Sequence, residues 1–437
     1  MIEAVSQETL RLSEDTGGIV LEQVEKRFKK TMRDFAQLVI LTVIGLLIGF
    51  VVALFEYIYA IGLQFVLKWH AEFNPWILIG MPFAGLVIVW LFDRYGKLSK
   101  RGMNLVFQIS QGHERWIPKR TISLMIAATW LSNLFGASVG RESVAMQIGT
   151  AIASFVNRRL PRFYHSKTVF LVTGMAAGFA GLFGTPYTAV FFAIEVLVAG
   201  TLKFRALPST IAAALMASWT GGMLGLHAEV HVLPVWEQIA SIEQGWRFLV
   251  IGIAFGLVGG LFAWCSRKFR AWIQEKIPDS KKRVLICGTV FAVLLFVCWN
   301  GRYSNYGTNL IDSSFAGANA QIYPWDWLFK MLLTIGCLSV GYIGGEVTPL
   351  FAVGASLGFV LGPLIGIDPA WGAALGYAAV FGAGTNTWLA PIMVGVEIFG
   401  FQGFPAFFIC CSAAYFVNHS QSIYALQQRY EEEKSEA

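Results

Sequence analysis

The sequence predicts an all-α, polytopic membrane protein made of two inverted helical halves whose helices are broken and tilted. Three observations carry this expectation. The 437 residues are 56% hydrophobic and only 14% charged, whereas an average soluble domain carries roughly 25% charged residues. Many apolar segments are short or interrupted by Gly and Pro, as in GTPYTAVFFAIEVLVAG (184–200) and GGEVTPLFAVGASLG (344–358). Helices that stop partway through a bilayer are the mark of transporters, where they line a site. The third observation is an internal repeat at an offset of 205 residues.

In chain order, residues 1–34 read as a cytoplasmic N-terminal segment. It has no secretory signal, and VLEQVEKRFKKTMRDF reads as an amphipathic helix outside the bilayer. A first membrane half follows over 35–226, an extracytoplasmic linker over 227–245, a second half over 246–431 and a short cytoplasmic tail over 432–437. A span needs about 20 apolar residues, and 38–55, 76–92, 249–264 and 284–299 meet or approach that length. The loops at 93–102, 114–120, 157–167 and 266–283 are basic, whereas 70–76, 226–246 and 305–327 contain no Lys or Arg. By the positive-inside rule the basic group and both termini face the cytoplasm, so a multi-pass protein of the cell membrane is expected. With so short a tail, no appended cytoplasmic regulatory domain is expected.

The formal charge of +6 is accounted for by these loops, and no nucleic-acid partner is expected. The six cysteines lie in or beside apolar segments and make no CxxC pair. They read as buried thiols rather than disulfides or a metal site. The six histidines make no HExxH pattern, so no metal and no cofactor is expected.

The repeat places GRESVAMQIG (140–149) over GEVTPLFAVG (345–354). Ser143 lies over Thr348, and Pro186 and Pro391 each follow the closing glycine of their motif by 37 residues. The first motif leads toward a basic loop and the second toward LIGIDPAW, which has no Lys or Arg, so the two motif helices run in opposite directions. Two helix N-termini then aim at one central point. Each carries unpaired N–H groups and roughly half a positive charge, which makes an anion site without any lysine. A carboxylate beside such a site competes with the anion when ionised and lets go when protonated. Glu142 is therefore the candidate gate and proton carrier. For Arg141 the expectation is a structural role at the helix start.

With these residues in view, the chain resembles the CLC family of chloride channels and proton-coupled anion exchangers. GRESVAMQIG resembles that family's GREGP motif and GEVTP its GxFxP motif, while Gly102-Met103-Asn104 takes the place of its GSGIP motif. Tyr424 resembles the late tyrosine that contacts the central anion. Met103 stands where chloride-selective members have serine, Ser143-Val144 where they have Gly-Pro, and Val347 where they have phenylalanine. Their inner proton glutamate falls at Val196.

The combination of GMN with GGEVTPLF resembles the fluoride-exporting branch. The resemblance implies a CLC-type inverted repeat and a homodimer with one pathway per subunit. It implies a fluoride/proton antiporter that exports fluoride as protons enter. Glu142 and Glu346 are then the gating and proton residues, and Met103, Asn104, Val347, Thr348 and Tyr424 the anion-binding ones, with Thr348 holding the rotated gate carboxylate. Met103 is expected to narrow the inner passage.

A chloride/proton exchanger or passive chloride channel of the same family is the alternative, with chloride as the anion. An intramembrane enzyme would need a nucleophile–base or metal cluster, and the sequence offers neither. Glu195 and Glu397, in FFAIEVLV and VGVEIFG, are either proton sites or carboxyls bonded between packed helices. Asn104 either donates to an anion or caps the helix that follows. Phe107 either lines the path or packs in the core.

Overall fold

The computed structural model describes residues 2–160, 167–226, 230–235, 239, 242–297, 300–418 and 421–430; before residue 32, side chains are described only for Arg27 and Lys30. The tail 432–437, Cys298, His419, Ser420 and parts of the 157–167 loop and the 227–245 linker lie outside the described residues.

The first half contains α1 (Ile2–Phe73), α2 (Met81–Leu91), α3 (Met103–Ser110), α4 (Arg120–Leu134), α5 (Glu142–Arg159), α6 (Lys167–Phe183), α7 (Pro186–Glu195) and α8 (Leu207–Met223). The second contains α9 (Gly245–Lys276), α10 (Ser280–Val297), α11 (Thr308–Ser314), α12 (Asp326–Val340), α13 (Val347–Leu361), α14 (Pro369–Thr385), α15 (Leu389–Phe399) and α16 (Phe404–Asn418). Among the described residues, five helical stretches are long and apolar enough to cross a membrane: Met32–Phe73, Trp76–Ser110, Gly245–Lys276, Val347–Ile365 and Phe401–Asn418.

The packing repeats between halves. α1 lies on α6 and α8 as α9 lies on α14 and α16, and α5 pairs with α6 as α13 pairs with α14. Both of the latter pairs bring backbone against backbone. Gly149 lies against the Gly174 carbonyl, and Gly354 against that of Gly376. Small residues let membrane helices approach this closely, which gains dispersion energy where no hydrophobic force separates helix from lipid. A parallel pairing of Val198–Ala199 with Gln428–Arg429 ties the α7–α8 link of the first half to the end of the second.

Two details refine the sequence reading. The N-terminal segment is helical, and its helix runs without a break into the first membrane helix, as α1. And while Cys337, Cys410 and Cys411 are buried, Cys265 and Cys287 are half-buried. Those two lie on α9 and α10, whose outer faces also expose Leu257, Leu261, Ile286 and Val290, an apolar surface suited to lipid rather than to a protein core.

Candidate functional site

α5 has 18 residues and α13 has 15. At 1.5 Å per residue they are about 27 and 22 Å long, shorter than the roughly 30 Å hydrocarbon core. Their N-termini meet. Just before them the two chains run antiparallel for one bridge, with Gly140 N–H donating to the Gly345 carbonyl at 2.7 Å and Gly345 N–H to the Gly140 carbonyl at 3.0 Å. Glycine is required at both places by crowding. A Cβ on Gly140 would sit 2.8 Å from a Glu142 oxygen and from Pro349 Cδ, and one on Gly345 would run into the Glu142 carboxylate.

That carboxylate fills the gap between the helix starts and is fully buried. Oε2 accepts from Arg141 N–H at 2.8 Å and from the Thr348 hydroxyl at 2.8 Å. Oε1 accepts from Val347 N–H. One N–H comes from the start of each half-helix, so a negative group sits where both dipoles favour it. Any small anion placed there would meet the same donors. Tyr59 Oη donates to the Arg141 carbonyl at 3.3 Å and fixes this turn from α1. The Arg141 guanidinium lies over the rings of Phe183 and Tyr306, 5.3 and 5.0 Å from their centroids.

Next to the Glu142 carboxylate, Ser143 Oγ donates to Glu346 Oε2 at 3.4 Å, and the other Glu346 oxygen lies 3.8 Å from Arg270 Nη2 on α9. Glu346 thus stands between Glu142 and a chamber of about 240 Å³. Met103, Asn104, Ser143, Gln147, Arg270 and Tyr424 are among the chamber's wall residues, together with Lys100, Arg101 and Arg283 from the basic loops. The Tyr424 hydroxyl is buried without a hydrogen-bond partner, as is Gln147 Oε1. A buried hydroxyl in that state needs an explanation, and an anion in the chamber would accept from it. Phe107 packs its ring 5.4 Å from that of Tyr424. It is buried, so it backs the tyrosine from the core.

All seven residues expected from the sequence are thereby brought to one locus, Glu142, Val347 and Thr348 at the meeting point of the helix starts and Met103, Asn104, Glu346 and Tyr424 around the chamber. Asn104 caps nothing: Gly102 holds the N-cap position of α3, and Asn104 lies within the first turn. Glu195 and Glu397 are away from this locus. Glu195 accepts from the N–H groups of Trp388 (2.5 Å), Leu389 (3.1 Å) and Ala390 (3.3 Å) at the start of α15. Glu397 accepts from Tyr187 N–H (3.2 Å) and from Thr188 N–H and Oγ1 (both 2.8 Å) at the start of α7.

The sequence reading passed over Ser143, Tyr59, Gln147 and Arg270 as site residues. Ser143 had a signal, since it follows Glu142 in the motif that resembles GREGP and stands at that motif's glycine. Arg270 was hidden among loop cations that served to set topology. Lys330 was also passed over. It is fully buried and donates to Ser138 Oγ (2.9 Å) and the Tyr303 and Asn305 carbonyls (3.1 and 2.6 Å), which anchors the stretch leading to Gly140. A charged residue inside the apolar run LFKMLLTIGC was the available clue.

Comparisons with known proteins agree with one another. The family model described as voltage gated chloride channel matches residues 84–419. A protein of Pseudomonas syringae pv. tomato named chloride/fluoride channel protein is 34% identical over 391 residues, covering 88% of this chain and 84% of that one. The H(+)/Cl(-) exchange transporter ClcA of Yersinia pestis is 28% identical over 283 residues, 60% of this chain and 57% of that protein. Among solved structures, a CLC-type fluoride/proton antiporter is 42% identical with a TM-score of 0.87, covering 90% of this chain and 99% of that one. A slow cyanobacterial Cl-/H+ antiporter shares the fold at 19% identity and a TM-score of 0.74, covering 87% of this chain and 94% of that one.

Proposed function

The chain belongs to the CLC family of anion channels and proton-coupled anion transporters, and within it we propose a fluoride/proton antiporter that exports fluoride as protons enter, gated by Glu142. One observation carries this reading: the Glu142 carboxylate occupies the meeting point of α5 and α13 on donors that an anion would use. Protonation removes its charge and weakens its hold on the two N-termini. The side chain then leaves, the anion takes the donors, and the carboxyl carries its proton with it. Exchange follows because carboxylate and anion cannot hold the same donors together.

Glu346 is the second carboxyl of the cycle in this reading, since Ser143 joins it to the gate on the chamber side. Met103, Asn104, Val347, Thr348 and Tyr424 are the anion-binding residues. The chamber side carries the basic loops, so we place it and both termini in the cytoplasm. The assembly is read as a homodimer in the bilayer with one pathway per subunit. Gate, helix starts and chamber all come from one chain, in keeping with a complete pathway in each. Fluoride, rather than chloride, is supported by GMN and GGEVTPLF and by the names of the two most similar relatives described above.

The test is flux from liposomes loaded with fluoride or chloride, read with anion and pH electrodes. Wild type is expected to release fluoride with opposite proton movement, and Glu142→Gln to lose the proton movement by at least about tenfold, since a gate without its titrating group contributes no coupling. Fluoride release without protons in wild type would make the protein a channel. Chloride release at equal rate would make it a chloride exchanger. Normal coupling in Glu142→Gln would sink the gate assignment.

A further inference from the structure

The wall between the main chamber and its neighbour, of about 270 Å³, holds an unused cation. Asn104, Arg270, Gln274, Glu346 and Ile423 line both spaces, so the Arg270–Glu346 pair stands at the neck between them. Arg270 lies near the end of the 32-residue α9, about 38 Å from its start, and its side chain is 42% exposed against 17% for Glu346. The separation of 3.8 Å makes this a loose pair rather than a closed fork. The titratable and charged groups facing Glu346 across the two spaces are Glu142 from α5, Arg267 and Arg270 from α9, Arg283 from α10, Tyr342, Tyr424, and Lys100 and Arg101 before α3; Arg267 donates to Gln421 and Tyr342 to the Met81 carbonyl. Arg270 is the cation that reaches within 4.0 Å of it among the described residues. Arg283 donates instead to the Ile277 carbonyl at 2.9 Å, and Arg101 pairs with Glu114 at 2.8 Å.

We infer that Arg270 is a positioning residue that links the protonation state of Glu346 to admission of the anion: it pairs with Glu346 when that carboxylate is ionised and turns to the incoming anion when Glu346 is neutral. The chemistry is competition between two anions for one guanidinium. An ionised Glu346 at the neck both occupies the cation and repels fluoride. A protonated one does neither, and the freed guanidinium raises the local concentration of a small anion beside Asn104 and Tyr424. Admission and proton uptake on this side then become one event. This inference rests on the antiport reading above.

The test uses the full-length protein in liposomes, with fluoride flux measured against pH and fluoride concentration on the chamber side. Removing the cation makes Glu346 hold its proton more tightly, so Arg270→Gln is expected to move the midpoint of that pH profile upward by about 0.5–1 unit, the discounted effect of a half-exposed pair. The apparent KM for fluoride on the same side should rise several-fold. Arg270→Lys should restore the pH midpoint while recovering KM in part. A merely structural role would lower the rate at every pH and leave the midpoint in place. That result, or an unchanged KM, overturns the inference. The two failures are separable: wild-type fluoride flux without protons refutes the antiport reading, whereas coupled wild-type flux with an unshifted Arg270→Gln profile refutes only the role of Arg270. Should Arg270→Gln not purify as a single species, Arg270→Met carries the same measurement.

Discussion

Among the described residues, two places carry a carboxylate from one helix onto the N-terminus of another, and they do opposite things with it. At the α7–α15 seam, Glu195 ends α7 and accepts N–H groups at the start of α15, while Glu397, in the last turn of α15, accepts them at the start of α7. Each acid therefore leaves the unfavourable negative end of its own helix for the positive end of the other. The pair is reciprocal and closed. At the α5–α13 junction one acid, Glu142, takes N–H groups of both helix starts, while the second, Glu346, accepts from the Ser143 hydroxyl instead. Glu142 begins its own helix and reaches across to α13, so both positive ends point at one carboxylate. A chamber adjoins it through Ser143 and Glu346. Two acids for two helix ends make a clamp. One acid for two ends leaves donor capacity that an anion can claim.

The contrast is tested most severely at the glycine that gives Glu142 its room. Gly345→Ala puts a methyl group into the carboxylate's place. Overpacking costs about 1–3 kcal/mol, so coupled fluoride/proton flux should fall about five- to 150-fold. A variant that exchanges normally would show that the carboxylate need not occupy this gap.

The seam should behave in the reverse sense. Glu195→Gln keeps one acceptor oxygen and loses charge-assisted bonds, worth about 1.5–3 kcal/mol. Its thermal unfolding midpoint in detergent should drop, while the proton-to-fluoride ratio in liposomes stays at the wild-type value. If the ratio changes with stability intact, Glu195 belongs to the proton path and the distinction between clamp and gate fails.

Thr348→Val removes one of the three donors on the gate carboxylate without changing side-chain size. A hydrogen bond to a charged group is worth about 1.5 kcal/mol at the low end, close to tenfold in occupancy. The expected result is a looser gate: fluoride leak unaccompanied by protons, rising up to about tenfold in the same flux assay. Leak at the wild-type level would leave Val347 and Arg141 as sufficient holders.

The sequence showed this junction better than it showed the seam. GRESV and GEVTP share glycine spacing, and each precedes a proline at the same interval, so both half-helices and their shared target could be read from residues close together in each motif. The seam could not be read that way. Glu195 and its N–H donors are separated by 193 to 195 residues, and nothing near FFAIEVLV states that another helix begins beside it. Both open readings of Glu195 and Glu397 were compatible with the sequence; the hydrogen bonds place each on a helix start. Arg270 was obscured for a different reason. Its charge is one of several in 266–283, and only the path of α9 past Glu346 separates it from the rest. The length of α1 was likewise concealed, because the switch from polar to apolar composition near residue 35 marks a change of solvent, not a helix end.

The smallest expected effect concerns the residue that departs most plainly from chloride-selective relatives. Met103 opens α3 after Gly102, is half-buried and lines the chamber with Asn104 and Tyr424. Its thioether is apolar and adaptable and offers no hydrogen-bond donor, and it is expected to narrow the space. Serine there would be smaller and would add a hydroxyl at the start of a helix, where an anion is already favoured. Both changes relax the demand for a small ion. Met103→Ser is therefore expected to lower the fluoride-over-chloride ratio of efflux by a few-fold, equivalent to about 1 kcal/mol, while Glu142 continues to couple protons to whichever anion passes. An unchanged ratio would remove Met103 from selectivity and shift attention to Ser143 and Tyr424, which face the same chamber.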